Sequence, residues 1–263
     1  MKIVVCMKQV PAANSARIDP ETGAMERSSV AARTNPYDLF ALETALRLRE
    51  QLGGKVIALT MGPTTAETMM KDAYAMGADD AYILSDGQFA GADVLATAFT
   101  LAQGIALLGG ADLILCGRQT TDGDTAQVGP ALAEVLDLPH AAWVSEIVGA
   151  DQAAIRVKQD LASVTQVSEL AYPCLITVDQ NVNVPRLPSY RLKTQTRDRP
   201  VQILTYADLP EQDPSRYGLL GSATKVVRMF SPDQAPRRVL IQGANGEEKA
   251  RAVFDELTRN KIL

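Results

Sequence analysis

Residues 35–63 read NPYDLFALETALRLREQLGGKVIALTMGP, and this stretch decides the fold. Leu39, Leu42 and Leu46 share one face at helical spacing. Asn35 stands where an N-cap belongs, with Pro36 at N1 and Asp38 at N3. Lys55–Met61 follows as a short apolar run bounded by Gly, the pattern of a buried parallel strand. Helix then strand, with punctuation between, is one beat of an alternating α/β chain.

The same beat extends in both directions. Lys2–Met7, Ala81–Leu84 and Asp112–Cys116 read as further strands. Thr64 and Glu67 have capping-box spacing just after Gly62-Pro63, so a helix starts there. Asp93 to Leu108 reads as another helix. A fourth is expected from about Thr125, with Val128, Leu132 and Val135 on one face. The rhythm predicts a doubly wound, mainly parallel sheet with helices on both sides. Past residue 140, Ala153–Val157, Ala162–Val167 and Cys174–Val178 are expected to extend that sheet antiparallel. Val184–Pro200, VPRLPSYRLKTQTRDRP, carries three prolines and five basic residues and reads as an extended arm. Beyond it, Glu247–Arg259 is a helix, and Lys225–Phe230 is an apolar patch in a polar connection. The expected division is 1–183, a nucleotide-binding α/β domain, and 184–263, an arm and C-terminal helix that contact a partner.

Composition narrows the function. The 263 residues carry 26 Lys and Arg against 31 Asp and Glu, a net charge of −5, which argues against a nucleic-acid partner. The longest apolar region, Phe99–Gly117, is interrupted by Gln103, paired glycines and Asp112, so no membrane insertion is expected. The apolar start before Lys8 is too short for a signal-peptide core. Cys6, Cys116 and Cys174 lie in separate apolar runs and read as buried thiols of a cytoplasmic protein. One histidine, His140, argues against a histidine-rich metal site or a Ser-His-Asp triad.

In an open parallel sheet, ligands bind beyond the carboxyl ends of the strands. Those ends carry KQVPAANS (8–15), TMGPTTAE (60–67), SDGQFAGAD (85–93) and CGRQTTDGDTAQVGP (116–130). The last three lead into helix N-termini, where amides and the dipole favour phosphate; each is equally a well-capped βα turn. In the last loop, Gly117 and Gly123 are expected to let the backbone approach a ligand. Thr121, Thr125 and Gln127 offer hydrogen bonds. Asp122 and Asp124 are read as helix caps or acceptors of ribose hydroxyl protons. Arg118 is either a diphosphate partner or a solvated or interface charge. No G-x-G-x-x-G, P-loop or G-x-S-x-G motif occurs. The residues alone therefore give an adenine-nucleotide-type site with no evident nucleophile or acid–base pair.

KIVVCMKQVP at 2–11, NPYDLFALETALRLRE at 35–50, TMGP at 60–63 and CGRQTTDGDTAQVGPALAE at 116–134 together resemble the β subunit of electron transfer flavoproteins. RLPSYRLKTQTRDRP at 186–200 and SATKVVRMFSP at 222–232 extend the resemblance over nearly the whole chain. It implies an adenine nucleotide α-hydrolase-like fold and a heterodimer with an electron transfer flavoprotein α subunit. It further implies a C-terminal arm around that subunit and a loop near 184–200 that docks a flavin-dependent dehydrogenase.

DGDTAQVGP at 122–130, with NPYD and the GAD at 91–93, resembles the electron-bifurcating branch. There the β subunit binds FAD that takes hydride from NADH. One electron goes to ferredoxin or flavodoxin and the other toward an acyl-CoA or lactate dehydrogenase. Gly123 in place of an acid removes charge and bulk where a diphosphate needs room. In ordinary members the site holds AMP as a structural ligand, and a nucleotide-binding scaffold without redox role is a third possibility. Carried over by position, the cofactor-binding residues are Val10, Asn35, Met61, Gly62, Pro63, Asp122, Gly123, Thr125, Gln127 and Val128. Asp93 and Thr97 would border a nicotinamide or flavin. None is a catalytic acid or base, since the redox chemistry belongs to the cofactor. Arg186, Arg191, Lys193, Arg197 and Arg199 would suit an acidic partner surface, with Leu187, Tyr190 and Leu192 as its only apolar anchors.

Overall fold

Alternate residues of the first strand, β1 (Lys2–Cys6), feed two different cores, because successive side chains of a strand point to opposite faces. Ile3 and Val5 meet the buried faces of α1 (Pro36–Leu52) and α2 (Glu67–Met76). Val4 and Cys6 meet α3 (Val94–Leu107) and α4 (Val128–Val135). Leu42 and Leu46 of α1 have no exposed surface, and each such burial contributes roughly 2 kcal/mol. The computed structural model describes residues 1–12, 32–161, 163–227 and 238–263.

The strands are β1, β2 (Gln9–Pro11), β3 (Ala32–Thr34), β4 (Lys55–Met61), β5 (Asp80–Leu84) and β6 (Leu113–Gly117). They continue with β7 (His140–Ala150), β8 (Ala154–Leu161), β9 (Val164–Ala171), β10 (Cys174–Val178) and β11 (Gln202–Leu204). Nine of them form one sheet in the order β11-β5-β4-β1-β6-β10-β7-β8-β9. Every pairing from β11 to β7 is parallel, and β8 and β9 close the sheet antiparallel. β2 and β3 pair as a separate antiparallel ribbon. The expected doubly wound, mainly parallel sheet with an antiparallel extension is what forms.

Four local expectations are corrected. Cys174–Val178 was assigned to the antiparallel extension, but β10 runs parallel between β6 and β7 and is buried throughout. β7 itself was missed, because Trp143 adopts φ 61° and the ladder shifts register there, which breaks the period-2 signal. The Thr64–Glu67 capping box does not form: Thr64 lies in a 3₁₀ turn and α2 starts at Glu67 without a side-chain cap. Tyr190–Gln195, expected as extended chain, is the short helix α5, with the Ser189 side chain accepting from the Leu192 amide.

Residues 1–227 form one compact unit and 228–263 a second. The first runs past the boundary expected at 184, because ion pairs, β11 and the buried ring of Tyr217 bind 184–227 to the sheet and its helices. In the second, α6 (Gly246–Arg259) is capped by Asn245, whose side chain accepts from the Glu248 amide at 2.9 Å. Of the expected patch Lys225–Phe230, Val226 and Val227 are exposed and 228–230 lie outside the described residues. No helix among the described residues is long and apolar enough to cross a membrane.

Candidate nucleotide site

The chain moves from β1 outward to β4 and β5, then returns to β6 on the other side of β1. The turns after β1 and β6 therefore part at the carboxyl edge, the topological switch point at which such sheets hold ligands in a crevice. Lys8 and Asp122 face each other across it, with Lys8 Nζ at 2.7 Å from Asp122 Oδ2 and 2.9 Å from Oδ1. Burial favours the neutral form of Asp122, but the Lys8 hydrogen bond and charge outweigh it and hold the carboxyl below its usual range. On the β4 side, Gln9 donates to the Thr65 carbonyl at 3.3 Å, tying the β1 turn to the turn that holds Met61, Gly62 and Pro63. A hollow of about 290 Å³, lined in part by Gln9, Arg33, Thr34, Thr65 and Asp72, opens beside the crevice.

Asn35 and Asp38 lie beneath these turns. Asn35 is fully buried and occupies the N-cap position of α1, yet its side chain makes no cap. Its Nδ2 donates instead to Asp38 Oδ1 and to the Gln119 carbonyl, both at 2.9 Å, and its Oδ1 accepts from the Thr121 amide at 3.3 Å. Asp38 Oδ2 accepts from the Lys8 amide at 2.7 Å. Burial pushes the Asp38 carboxyl up to about 7 despite these donors. Behind it, Cys6 and Cys116 are direct partners on β1 and β6. The hydrogen bond with Cys6, and then burial, drive the Cys116 thiol well above its ordinary value, so it stays protonated and unreactive.

The loop from Gly117 into α4 combines exposed backbone with the acids Asp122 and Asp124. Gly117 is needed for packing, since a Cβ there would collide with Asp38 Oδ1 and Tyr37; its close approach is to α1, not to a ligand. Gly123 and Gly62 are different. A Cβ at Gly62 would meet nothing within 4 Å, and one at Gly123 only Thr120 Oγ1 at 3.6 Å. Asp124 and Ala126 adopt φ 52° and 54°, rare for residues with a Cβ, and delay α4 to Val128, three residues after the expected start. Neither acid caps the helix, contrary to the capping expectation. Asp122 binds Lys8 and the Gly123 amide, and Asp124 accepts from Gln119 at 2.6 Å. Gln127 is the N-cap of α4 and makes no side-chain cap, so Thr125, Gln127 and Val128 flank an uncapped helix start.

The other expected residues sit apart or are otherwise engaged. Val10 is buried in the β2–β3 ribbon opposite Arg33. Asp93 caps α3 by accepting from Ala96, and its other oxygen accepts from the amide and hydroxyl of Thr224. Thr97 lies one turn into α3, and among the described residues no hydrogen bond joins Asp93 or Thr97 to the 117–127 loop. Arg118 is engaged within the chain: it pairs with Asp179 at 2.8 Å and stacks 4.0 Å from the Trp143 ring centroid. Arg186 is not a free cation, because Glu43 and Glu50 bind it at 2.7 and 2.6 Å. Arg199 likewise donates to the Asp79 carbonyl and lies over Tyr74.

Local sequence pattern assigns no role to Lys8, which pairs with Asp122, and marks Asp38 only as a first-turn acid. The available signal was spacing: Asp38 falls four residues before Leu42, on the buried face of α1.

The arrangement fits a nucleotide. It offers open backbone at Gly62 and Gly123, an uncapped helix N-terminus for an anion, and a carboxylate and an ammonium across a crevice. Residues 22–209 match the family model described as the electron transfer flavoprotein domain. The chain is 41% identical to the electron transfer flavoprotein subunit beta of Thermoanaerobacterium thermosaccharolyticum over 265 residues, covering 100% of both chains. It is 41% identical to the caffeyl-CoA reductase-Etf complex subunit CarD of Acetobacterium woodii, again over 100% of both. It is 37% identical, with the same coverage, to the acryloyl-CoA reductase electron transfer subunit gamma of Anaerotignum propionicum.

Proposed function

The chain belongs to the electron transfer flavoprotein family, with full-length likeness to its β subunits, and on that premise we propose that it binds FAD in the β1–β6 crevice and works as the β subunit of an electron-bifurcating heterodimer. The observation that carries this reading is the loop of residues 120–128, which turns through two left-handed residues to bring open backbone at Gly123 against an α4 N-terminus with no side-chain cap. The neighbouring helix α3 is closed by Asp93 and offers no such place. The likeness to subunits of caffeyl-CoA and acryloyl-CoA reductase systems supports a CoA-linked dehydrogenase as client.

When bound, FAD supplies the redox chemistry, accepting hydride from NADH and passing electrons toward ferredoxin or flavodoxin and the client. This chain's part is to hold and orient. The α4 amides and Gly123 meet the diphosphate, Asp122 exchanges Lys8 for a ribose hydroxyl, and Lys8 is freed toward phosphate. Met61 to Pro63 wall the β4 side, and Thr125, Gln127 and Val128 set the entry to α4. Asp93 and Thr97 stand at the far margin, where a nicotinamide or isoalloxazine would lie. On 184–200, Arg191 and Lys193 with the exposed Leu187 and Tyr190 form the docking face for an acidic client. An electron transfer flavoprotein α subunit completes the carrier.

The test is mass spectrometry of nucleotides released by denaturing the chain co-purified with its α-type partner. Two FAD per heterodimer, bleached by NADH, is the expected result. One FAD with one AMP assigns the crevice to a structural nucleotide, and no flavin at all removes the redox reading.

A further inference from the structure

We propose that Asp38 is the positioning residue of the crevice, and that the chain holds its nucleotide more tightly when this buried carboxylate is ionised; the inference rests on reading the crevice as a nucleotide site. Asp38 touches no ligand position. It lies under the floor, 4% exposed, and gathers the turns that build the walls. One route runs from Oδ2 to the Lys8 amide, and Lys8 then reaches Asp122 through Nζ. The second runs from Oδ1 to Asn35, whose amide group continues to the Gln119 carbonyl and the Thr121 amide. The third is direct, from the Gly117 amide. All three routes end in residues 117–122, the root of the nucleotide loop.

Every one of these partners is a donor. An ionised carboxylate accepts from all of them at once. A protonated carboxyl gives up one acceptor site and brings an O–H into a set made only of donors, so its hold on the three routes weakens. Among the described residues the charged groups that face Asp38 are few. Lys8 on the β1 turn favours the ionised form, Cys116 on β6 stays a neutral thiol hydrogen-bonded to Cys6, and Asp122 is reached only through Lys8. Desolvation outweighs the donors, which puts the transition near neutrality. The one histidine, His140, is exposed at the start of β7, away from the carboxyl edge that carries the crevice. A neutral-range pH dependence of binding therefore points to Asp38.

Equilibrium titration of the nucleotide-free full chain with FAD, and separately with adenosine, tests this, since neither probe changes charge between about pH 5.5 and about pH 8.5. Wild type is expected to bind either probe about 10-fold more weakly at the acid end, a difference of about 1.4 kcal/mol. Asp38→Asn is expected to bind about 10-fold more weakly than wild type at pH 8 and to show no pH dependence. Asn35→Ala cuts one route and leaves the carboxyl in place. It is expected to bind more weakly and to keep a pH dependence displaced to higher pH, because the lost Asn35 hydrogen bond favours the ionised carboxyl, and it serves if Asp38→Asn does not fold. A flat wild-type profile, or an Asp38→Asn variant that keeps the wild-type profile while losing only thermal stability, overturns this inference alone. Failure of wild type to bind either probe at any pH overturns the nucleotide reading along with it.

Discussion

Asp38 and Glu43 stand five residues apart on α1, both buried, and the two positions handle their charge in opposite ways. Glu43 is met by guanidinium groups: Arg186 Nε lies 2.7 Å from Oε2 and Arg47 Nε 2.6 Å from Oε1. Burial alone would raise its carboxyl, but these arginines hold it below the usual range. Asp38 has no such partner among the described residues. It is served by amides, while the ammonium of Lys8 points away to Asp122. The contrast separates two uses of a buried acid. Glu43 is a rivet that fastens the start of the 184–200 segment to the helix. Asp38 is an acid left imperfectly compensated beneath a ligand crevice, where organisation of loops outranks stability.

The comparison breaks most visibly with pH. In the folded chain Asp38 takes up its proton near 7, against 3.8 in the unfolded chain, so between those values the folded state binds the extra proton. Stability of the nucleotide-free chain is therefore expected to fall as pH rises from about 4 to about 7, by on the order of 4 kcal/mol, and then to level off. Urea unfolding at a series of pH values measures the slope, and Asp38→Asn should abolish it. A wild-type slope of opposite sign in that window would mean the amides stabilise the charge after all.

Glu43 has the reverse dependence. Its depressed carboxyl stabilises the fold above about pH 4.5, and that contribution is lost as pH falls through the folded value. Arg186→Ala strands it, and a loss of about 3 kcal/mol is expected at pH 7, shrinking once Glu43 is protonated. Denaturant midpoints at neutral and acid pH give both numbers, and an equal loss at each would show that the arm is held by packing instead. The smallest effect sharpens the picture. Arg47, more than half exposed, makes an (i, i+4) pair, so Arg47→Ala should cost only about 0.5 kcal/mol. A cost matching that of Arg186→Ala would make the two arginines equal partners and remove the rivet.

Much of this architecture was legible because the parallel strands are short, apolar and punctuated. Lys55–Met61 and Cys174–Val178 have the bounds read from sequence, and α1 buries Leu42 and Leu46 as their spacing requires. What was lost depended on partners distant in sequence. No local pattern tells that β10 inserts beside β6, or that a tryptophan takes a left-handed conformation in β7. The strand-end loops are legible in the sequence, whereas the partners of their charges are not. Arg118 and Arg186 look like free cations in the chain, and only the fold supplies Asp179 for one and Glu43 for the other. Lys8 was overlooked for the complementary reason, since its partner Asp122 lies 114 residues away.

Trp143 is the one tryptophan in the chain, and its indole stacks on Arg118 at the root of the loop that turns into α4. The molecule thus carries its own optical probe at a single known address. Selective excitation of that indole reports on its contact with Arg118, so a change in the contact can be followed by emission without attaching a dye.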